Sequence, residues 1–196
     1  MPFNLNDFRN KFVNGGARPS QFEMQIVWPD ILRGAPGVVG AESDFRFLCQ
    51  ISEIPASTIG PVVVPYFGRK LQYAGDRSFV PLTVTVMNDE DFKIRKAFEF
   101  WSQAITGHQT TVSQFDGSNI AGSYATDGTV IQHSRNSGGG TLQAYKFVGM
   151  FPVAISAIAL NWATTDEFET FTVEFQYQYW LPIDGNTGQV SVSVNF

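Results

Sequence analysis

Apolar and polar residues alternate with a period of two through much of the sequence, which restricts the chain to a fold built mainly from β-strands. The clearest run is ETFTVEFQYQYW, residues 169–180. One face of such a strand carries Phe171, Val173, Phe175, Tyr177 and Tyr179, and the opposite face carries Thr172, Glu174, Gln176 and Gln178. This arrangement is typical of an antiparallel sheet that covers a core on one side and meets water on the other.

Several other segments show the same alternation and are predicted to be strands. They are QFEMQIVW (21–28), PLTVTVMN (81–88) and QVSVSVNF (189–196), with further strands expected at 45–54, 127–135, 141–150 and 154–162. The segment NSGGG, residues 136–140, is typical of a hairpin turn between two of them. A chain with this many short strands is expected to form a sandwich or a barrel.

One amphipathic helix is predicted in the middle of the chain. Asn88 is a suitable N-cap, the acidic residues at 89–91 suit a first helical turn, and Gly107 suits the C-terminal end. The apolar stripe of this helix, expected to pack in the core, consists of Ile94, Phe98, Trp101 and Ile105. A second, short helix is expected at the start of the chain, around Leu5, Phe8 and Phe12.

Two segments rich in glycine and proline are predicted to be loops. One of them is residues 29–44. The other is residues 54–70, which contain three prolines together with Ile59, Val62, Val63, Val64, Tyr66 and Phe67. Because such an apolar loop is unfavourable in water, we expect residues 54–70 to pack on their own domain or on a neighbouring molecule.

The length, composition and net charge of the chain exclude several classes of protein. The 196 residues fit a single domain, 1–196, and 43% hydrophobic residues suffice for a packed core. The net charge of −5 argues against a protein that coats DNA, which is normally basic. The single cysteine, Cys49, is expected to be a buried thiol in a strand. With no signal peptide and no apolar run long enough to span a membrane, we expect a soluble chain without a membrane anchor.

No residue pattern predicts catalysis, a metal site or a cofactor. The two histidines, His108 and His133, lack the spacing of metal ligands. The carboxylates of DEDF (89–92) and TTDEFE (164–169) are better explained by a helix N-terminus and by a turn than by a glycosidase pair. The chain is therefore not expected to be an enzyme.

Specific segments resemble the tail tube proteins of contractile-tailed bacteriophages. In that family's order they are ARPSQFEMQI (17–26), FLCQISEIPA (47–56), GRKLQYAGDRSF (68–79), LTVTVMNDEDF (82–92) and YKFVGMFPVAISAIALNWATTDEFETFTVEFQYQYW (145–180). The resemblance covers most of residues 17–180. The chain departs from the family pattern in a longer loop at 29–44 and in a C-terminal extension at 181–196.

The resemblance implies two packed antiparallel sheets with one flanking helix, in a fold related to the type VI secretion tube protein. It further implies hexameric rings whose inner sheets join into one barrel, and rings that stack into a tube through which DNA passes without specific binding. The expected partners are other copies of the chain, the tail sheath protein, and baseplate and tail terminator proteins, in a virion tail assembled in the bacterial cytoplasm.

Two sets of residues are assigned to this assembly. Contacts between rings or subunits are expected from Ile59, Val63, Tyr66, Phe67, Arg69, Asp76 and Arg77. Asp76 and Arg77 are included among the expected contact residues because the resemblance places the family's AGDR segment beside the region between rings. The lumen is expected to be lined by the polar face of the last clear strand, with Thr172, Glu174, Gln176 and Gln178.

Three alternatives remain open at the level of sequence. The first is a baseplate or terminal tube subunit of the same fold. The second is a carbohydrate-binding β-sandwich with Trp28, Trp162 or Trp180 exposed for stacking on sugars. A β-sandwich hydrolase is the third, and it requires a pair of carboxylates in a cleft.

Overall fold

The computed structural model describes residues 4–12, 15–109, 113, 124–135 and 140–183. Within these ranges the chain forms nine strands and four helices. In chain order they are α1 (Leu5–Lys11), β1 (Phe22–Ile26), α2 (Asp30–Arg33), α3 (Ala41–Leu48), β2 (Cys49–Ile51), β3 (Ser57–Tyr66), β4 (Arg69–Phe79), β5 (Leu82–Met87), α4 (Lys93–Ile105), β6 (Thr126–His133), β7 (Thr141–Ile155), β8 (Thr170–Gln176) and β9 (Tyr179–Ile183).

Two antiparallel sheets share one long strand. Sheet A has the order β1-β6-β7-β9, and sheet B has the order β7-β8-β5-β2. The first part of β7 pairs with β6 and β9, and its last five residues, from Phe151, pair with β8. Gly149 lies just before this change of sheets with φ of +66°, a conformation that suits glycine. The predicted fold of two packed antiparallel sheets is thus confirmed.

The core lies between the two sheets and α4. It includes Met24, Val130 and Phe147 from sheet A, and Val84 and Phe175 from sheet B, in one continuous apolar cluster. The alternation in the sequence therefore identified the inward face of β1, β5 and β8 correctly. Every second residue of β5 and β8 is buried, and in β1 Met24 and Ile26 are buried while Phe22 is partly buried.

Helix α4 covers the inward face of sheet B. Ile94, Phe98 and Trp101 are at most 1% exposed, and Ile105 at the end of the stripe is partly buried. The Phe98 ring lies 5.7 Å from the ring of Phe175 in β8, and the indole N–H of Trp101 donates to the Tyr124 carbonyl over 2.9 Å. Helix α4 is therefore held in place by the packing of Phe98 against β8 and by the hydrogen bond from Trp101 to the segment before β6.

The predicted start of α4 is wrong, whereas its predicted end at Gly107 lies next to the observed C-cap. The helix begins at Lys93 rather than after Asn88, with Phe92 in a left-handed conformation before it, and it ends at Ile105 with Thr106 as its C-cap. Asn88 instead donates from its backbone to the Glu169 carbonyl and from its side chain to the Glu169 carboxylate, over 2.8 and 3.0 Å. A bond to a residue distant in sequence thus replaces the local cap.

The segment 29–54 contains more helix than predicted. Helix α2 and the start of α3 lie within residues 29–44, which were expected to be a loop. The strand predicted at 45–54 is reduced to β2, because residues 45–48 continue α3. Ala41 and Phe45, four residues apart, are buried on one helical face, whereas Phe47 is 80% exposed. A period of two was therefore the wrong interpretation of this short aromatic run.

Residues 54–70 also differ from the prediction, since most of them form β3 rather than a loop. Strand β3 pairs with β4 in a separate two-stranded sheet. The strand expected at 154–162 ends at Ile155 as the last part of β7, and the run 169–180 is divided into β8 and β9. The strand predicted at 189–196 and most of the NSGGG turn lie outside the described residues.

Candidate functional site

The hairpin formed by β3 and β4, here called the arm, is anchored to the two-sheet body at its base. The Trp180 indole N–H donates to the Ala56 carbonyl over 3.4 Å, and the Tyr177 hydroxyl donates to the Val80 carbonyl over 2.7 Å. Ala56 and Val80 immediately precede and follow the two strands. With ten residues in β3, the arm reaches about 30 Å from these anchors.

A tight turn forms the tip of the arm. Tyr66 and Arg69 are the last paired residues, and Phe67 and Gly68 between them have φ of +42° and +80°. Positive φ at both central residues is the requirement of a type I′ turn, which matches the twist of a hairpin. The second position is filled by glycine, but the first holds a phenylalanine that is 91% exposed. A strained and exposed aromatic residue at a hairpin tip indicates a binding function.

The side chains of the arm are exposed along nearly its whole length. The large apolar ones among them are Ile59, Val62, Val63, Val64, Tyr66, Phe67, Leu71 and Tyr73. A contiguous apolar surface of this size on a single subunit marks an interface with another molecule.

All seven residues predicted to contact other subunits or rings lie on the arm. Ile59 and Val63 are on β3, Tyr66 and Phe67 are at the tip, and Arg69, Asp76 and Arg77 are on β4. Gly75, beside Asp76, approaches the other strand so closely that an added Cβ would lie 2.6 Å from the Gly60 carbonyl oxygen. Within the described residues, Arg69, Lys70, Asp76 and Arg77 take part in no ion pair. Their charges are therefore available to a partner.

The outward face of β5 and β8 in sheet B is polar. Thr172 and Glu174 of β8 lie opposite Thr85 and Thr83 of β5, and directly opposed residues share a face. Gln176 continues this row and is exposed. Gln178, which was predicted to belong to it, lies in the break between β8 and β9, beside Gly149. Three of the four predicted lumen residues are thus brought together on one face.

Sheet B has two short unpaired edges among the described residues. One is the outer side of β2, which is three residues long, and the other is the side of the last part of β7 that β6 does not reach. Exposed N–H and C=O groups along such edges are available for pairing with another chain.

A charged cluster holds α3 against sheet A. The Glu23 carboxylate on β1 accepts hydrogen bonds from Arg46 of α3 and from Gln25, and it lies 3.4 Å from Nε2 of His133 on β6. Burial raises the pKa of Glu23, but these donors and the positive charge of Arg46 outweigh burial, and the net pKa is lowered. Glu23 is therefore held in its charged form as a structural anion.

The described residues offer no catalytic arrangement. No group of three or more His, Cys, Asp or Glu side chains within these ranges is placed to hold a metal ion. Burial raises the pKa of the Cys49 thiol to about 12, which makes it unreactive at neutral pH. His108 is exposed, and His133 belongs to the Glu23 cluster. None of the described helices is both long and apolar enough to cross a membrane.

Sequence reasoning missed one exposed surface, the β7–β8 loop at residues 156–169. Leu160, Trp162 and Phe168 project from this loop into solvent. The signal was present in the sequence as three large apolar residues that follow no strand or helix period. It was overlooked because residues 154–162 were assigned to a strand and TTDEFE to a plain turn.

An open polar sheet, unpaired sheet edges and an exposed apolar arm together define a structural subunit that assembles with other chains. The chain belongs to the phage tail tube protein family, whose model matches residues 17–182. The resemblance found in the sequence is thereby confirmed, and the chain is a structural component of a contractile phage tail.

Individual relatives agree with this assignment. The tail tube protein gp19 of Enterobacteria phage T4 is 28% identical over 182 residues, covering 90% of this chain and 98% of the relative. A chain in the six-fold symmetrised cryo-EM structure of the anti-feeding prophage baseplate superimposes with a TM-score of 0.60 at 11% identity, covering 87% of this chain and 97% of that one. A chain of the extended PVC sheath–tube complex of an extracellular contractile injection system superimposes with a TM-score of 0.53 at 10% identity. The match covers 92% of this chain and 97% of that one. These two structures share the fold.

Proposed function

We propose that six copies of this chain form a ring and that rings stack into the inner tube of a contractile tail, the conduit for DNA during ejection. The observation that carries this proposal is the arm, which extends its apolar side chains away from the body. Complete burial of an aliphatic or aromatic side chain contributes about 1.5–3 kcal/mol. Contacts from several such residues, repeated in every subunit, supply the free energy for stacking.

Ring closure is supported by the edges of sheet B. Pairing the edge of β2 in one copy with the free end of β7 in the next continues the sheet from subunit to subunit. The number six comes from the family resemblance, and the six-fold symmetry of the anti-feeding prophage baseplate supports it.

The polar face of sheet B suits the wall of the lumen. Its opposite face packs against α4, so this face is the open one. Glu174 is the one carboxylate among the paired residues of β5 and β8, and neither strand carries a basic residue. A wall with weak negative charge does not retain DNA, because it repels phosphate.

The role is structural and not enzymatic, and it requires no cofactor. Partners besides the chain itself are the sheath protein outside the tube and the baseplate and terminator proteins at its ends, with assembly in the host cytoplasm. The alternative of a carbohydrate-binding module is not favoured, because only one of its three candidate tryptophans, Trp162, is exposed. Trp28 is buried, and Trp180 is partly buried with its N–H bonded to the Ala56 carbonyl.

Electron microscopy of the purified protein tests the proposal. Six-fold rings, and tubes built from them at high concentration, are the expected result. A protein that stays monomeric both alone and in the presence of a cognate baseplate would contradict it.

A further inference from the structure

The β7–β8 loop, residues 156–169, encloses one side of an open cleft. The cleft has a volume of about 650 Å³, and its lining includes Leu160, Trp162 and Phe168. Leu160 and Phe168 are 81% and 80% exposed, and Trp162 is fully exposed. Three large apolar side chains around an open cleft mark a surface that binds another molecule.

Contacts at both ends hold the loop in place. At its start, Arg95 of α4 donates to the Ser156 carbonyl over 2.6 Å, and its guanidinium lies over the Phe171 ring. At its end, Glu169 accepts from Asn88 through both its backbone and its side chain. The cleft is therefore attached to α4, β5 and β8 and is positioned by the body of the subunit.

The charges of this loop and of the arm are complementary. Residues 156–170 contain Asp166, Glu167 and Glu169 and no lysine or arginine. The distal part of the arm, residues 61–73, contains Arg69 and Lys70 and no acidic residue. The two cations follow Tyr66 and Phe67 after the single residue Gly68, and the two aromatic rings contact each other with centroids 4.7 Å apart. Each surface therefore combines an aromatic group with charge of opposite sign to that of the other surface.

The two surfaces lie at opposite ends of sheet B. Leu82, which follows the arm, pairs with Phe175, whereas Met87 at the other end of β5 pairs with Thr170, which directly follows the loop. An arm at one end and a cleft at the other cannot meet within one subunit without crossing the length of the sheet. They are arranged for contact between successive molecules in a head-to-tail series.

We propose that the tip of the arm of one copy docks in the β7–β8 cleft of a copy in the adjacent ring. Tyr66 and Phe67 contact Leu160, Trp162 and Phe168, while Arg69 and Lys70 face Asp166 and Glu167. This inference rests on the proposed stacking of rings, and it assigns the surface that receives the arm. A head-to-tail contact leaves free arms at one end of a stack and free clefts at the other, so the stack continues to grow.

Charge reversal tests the pairing. Arg69→Glu with Lys70→Glu, or Asp166→Lys with Glu167→Lys, places like charges in contact around every ring. Either pair of changes should reduce the amount of sedimentable tube by at least about tenfold at matched protein concentration. Combining all four substitutions restores opposite charges and should restore tubes. Glu169 is left unchanged because it bonds to Asn88.

A matched control uses exposed acids outside the loop, with Glu42→Lys and Glu53→Lys introducing the same change of charge. This control should form tubes as the unmodified protein does. Circular dichroism of each subunit verifies that all variants fold. If the fourfold variant remains defective although it folds, the pairing of these two surfaces is wrong.

Disulfide cross-linking tests position directly. A chain with both Phe67→Cys and Leu160→Cys should give, on oxidation of assembled tubes, a ladder of covalent multimers extending beyond the dimer. Chains with only one of these changes should give no ladder. Cys49 does not interfere because burial raises its pKa to about 12.

The outcomes separate the two proposals. Tubes that form without a ladder would overturn the docking assignment and leave the proposed function intact. A ladder in isolated rings would place the contact inside the ring and also overturn it. Absence of tubes from the unmodified protein, even on a baseplate, would contradict the proposed function and the docking together.

Discussion

At the scale of single residues, four aromatic side chains from distant parts of the sequence form the centre of the core. The Trp28 ring lies 5.1 Å from Phe98, 5.9 Å from Trp101 and 6.4 Å from Phe45. Edge-to-face and tilted contacts at these distances add to the free energy of burial. Because the rings contact one another, loss of one leaves a cavity bordered by three rigid neighbours that cannot collapse into it.

Removal of Phe98 or Trp101 therefore has a large expected effect. Phe98→Ala or Trp101→Ala should lower the free energy of unfolding by about 3–5 kcal/mol. Thermal melts of the unassembled subunit measure this loss. Phe47→Ala is the matched control, since Phe47 is exposed, and it should change stability by less than about 1 kcal/mol. A similarly small change for Phe98→Ala would contradict the role of α4 as a cover for sheet B.

Glu23 gives the subunit an acid-sensitive contact. Its folded-state pKa is lower than the ordinary glutamate value of 4.5, so the unfolded chain takes up the proton first as the pH falls. The stability from this group is fully present above pH 4.5 and is lost as the pH falls through the folded pKa. Arg46 and His133 are the charged or titratable partners of Glu23.

The matching substitution is Glu23→Gln, which keeps the shape and removes the charge. We expect this variant to be less stable than the unmodified protein at pH 7 and to lose less stability on acidification to pH 3. Denaturant unfolding at the two pH values measures both quantities. Equal acid sensitivity of the two proteins would show that other carboxylates dominate the acid response.

At the scale of elements, the strands with alternating residues were predictable, and the failures have particular causes. In β5 and β8 one face packs against the core and the other meets water, so burial has the same period as the sequence. Strand β3 has no such alternation: it carries apolar residues on both faces, and neither face is covered within the subunit. Its prolines, Pro61 and Pro65, also suggested a loop, but in a two-stranded hairpin every second residue directs its backbone N–H away from the partner strand, and proline is tolerated there.

The candidate site was predictable in its residues but not in its geometry. All seven contact residues lie on one arm, although the sequence suggested a packed loop and not a hairpin. The start of α4 could not be predicted, because Asn88 is bonded to Glu169, which is 81 residues away. Local capping preferences carry no information about such a partner.

The arm permits a direct test at the scale of one element. Tyr66→Ser with Phe67→Ser removes both aromatic rings from the tip, and both side chains are exposed in the free subunit. The subunit should therefore fold normally and form rings or remain monomeric, but it should not form tubes. Negative-stain micrographs of this variant beside Phe47→Ser, an equally exposed aromatic residue on α3, provide the comparison. Long tubes from the arm variant would exclude the tip from stacking.

At the scale of the whole molecule, the lumen assignment predicts how charge affects DNA passage. Glu174→Lys changes one negative charge to one positive charge in every subunit. Assembly should be unaffected because Glu174 is on the open face of sheet B and contributes no core contact. DNA ejection should slow, because a positive wall attracts phosphate at every ring. Ejection kinetics of phage carrying the variant are the measurement.

Glu42→Lys serves as the control for Glu174→Lys, since it makes the same change of charge at an exposed position on α3 rather than on the open face of β8. It should leave ejection unchanged. Normal tails with normal ejection for Glu174→Lys would show that Glu174 does not face the DNA or that wall charge has no effect on transit.

The fifteen-residue strand shared by both sheets has a consequence for how the subunit withstands force. Strand β7 is bonded to β6 and β9 along one part and to β8 along the other. Because β7 belongs to both sheets, its separation from either sheet disturbs the other, and we therefore expect the two layers to unfold together. Tension or compression applied to one layer passes through continuous covalent backbone to the next. A subunit built in this way yields as a single cooperative unit, which suits a wall that must stay intact when a tail contracts.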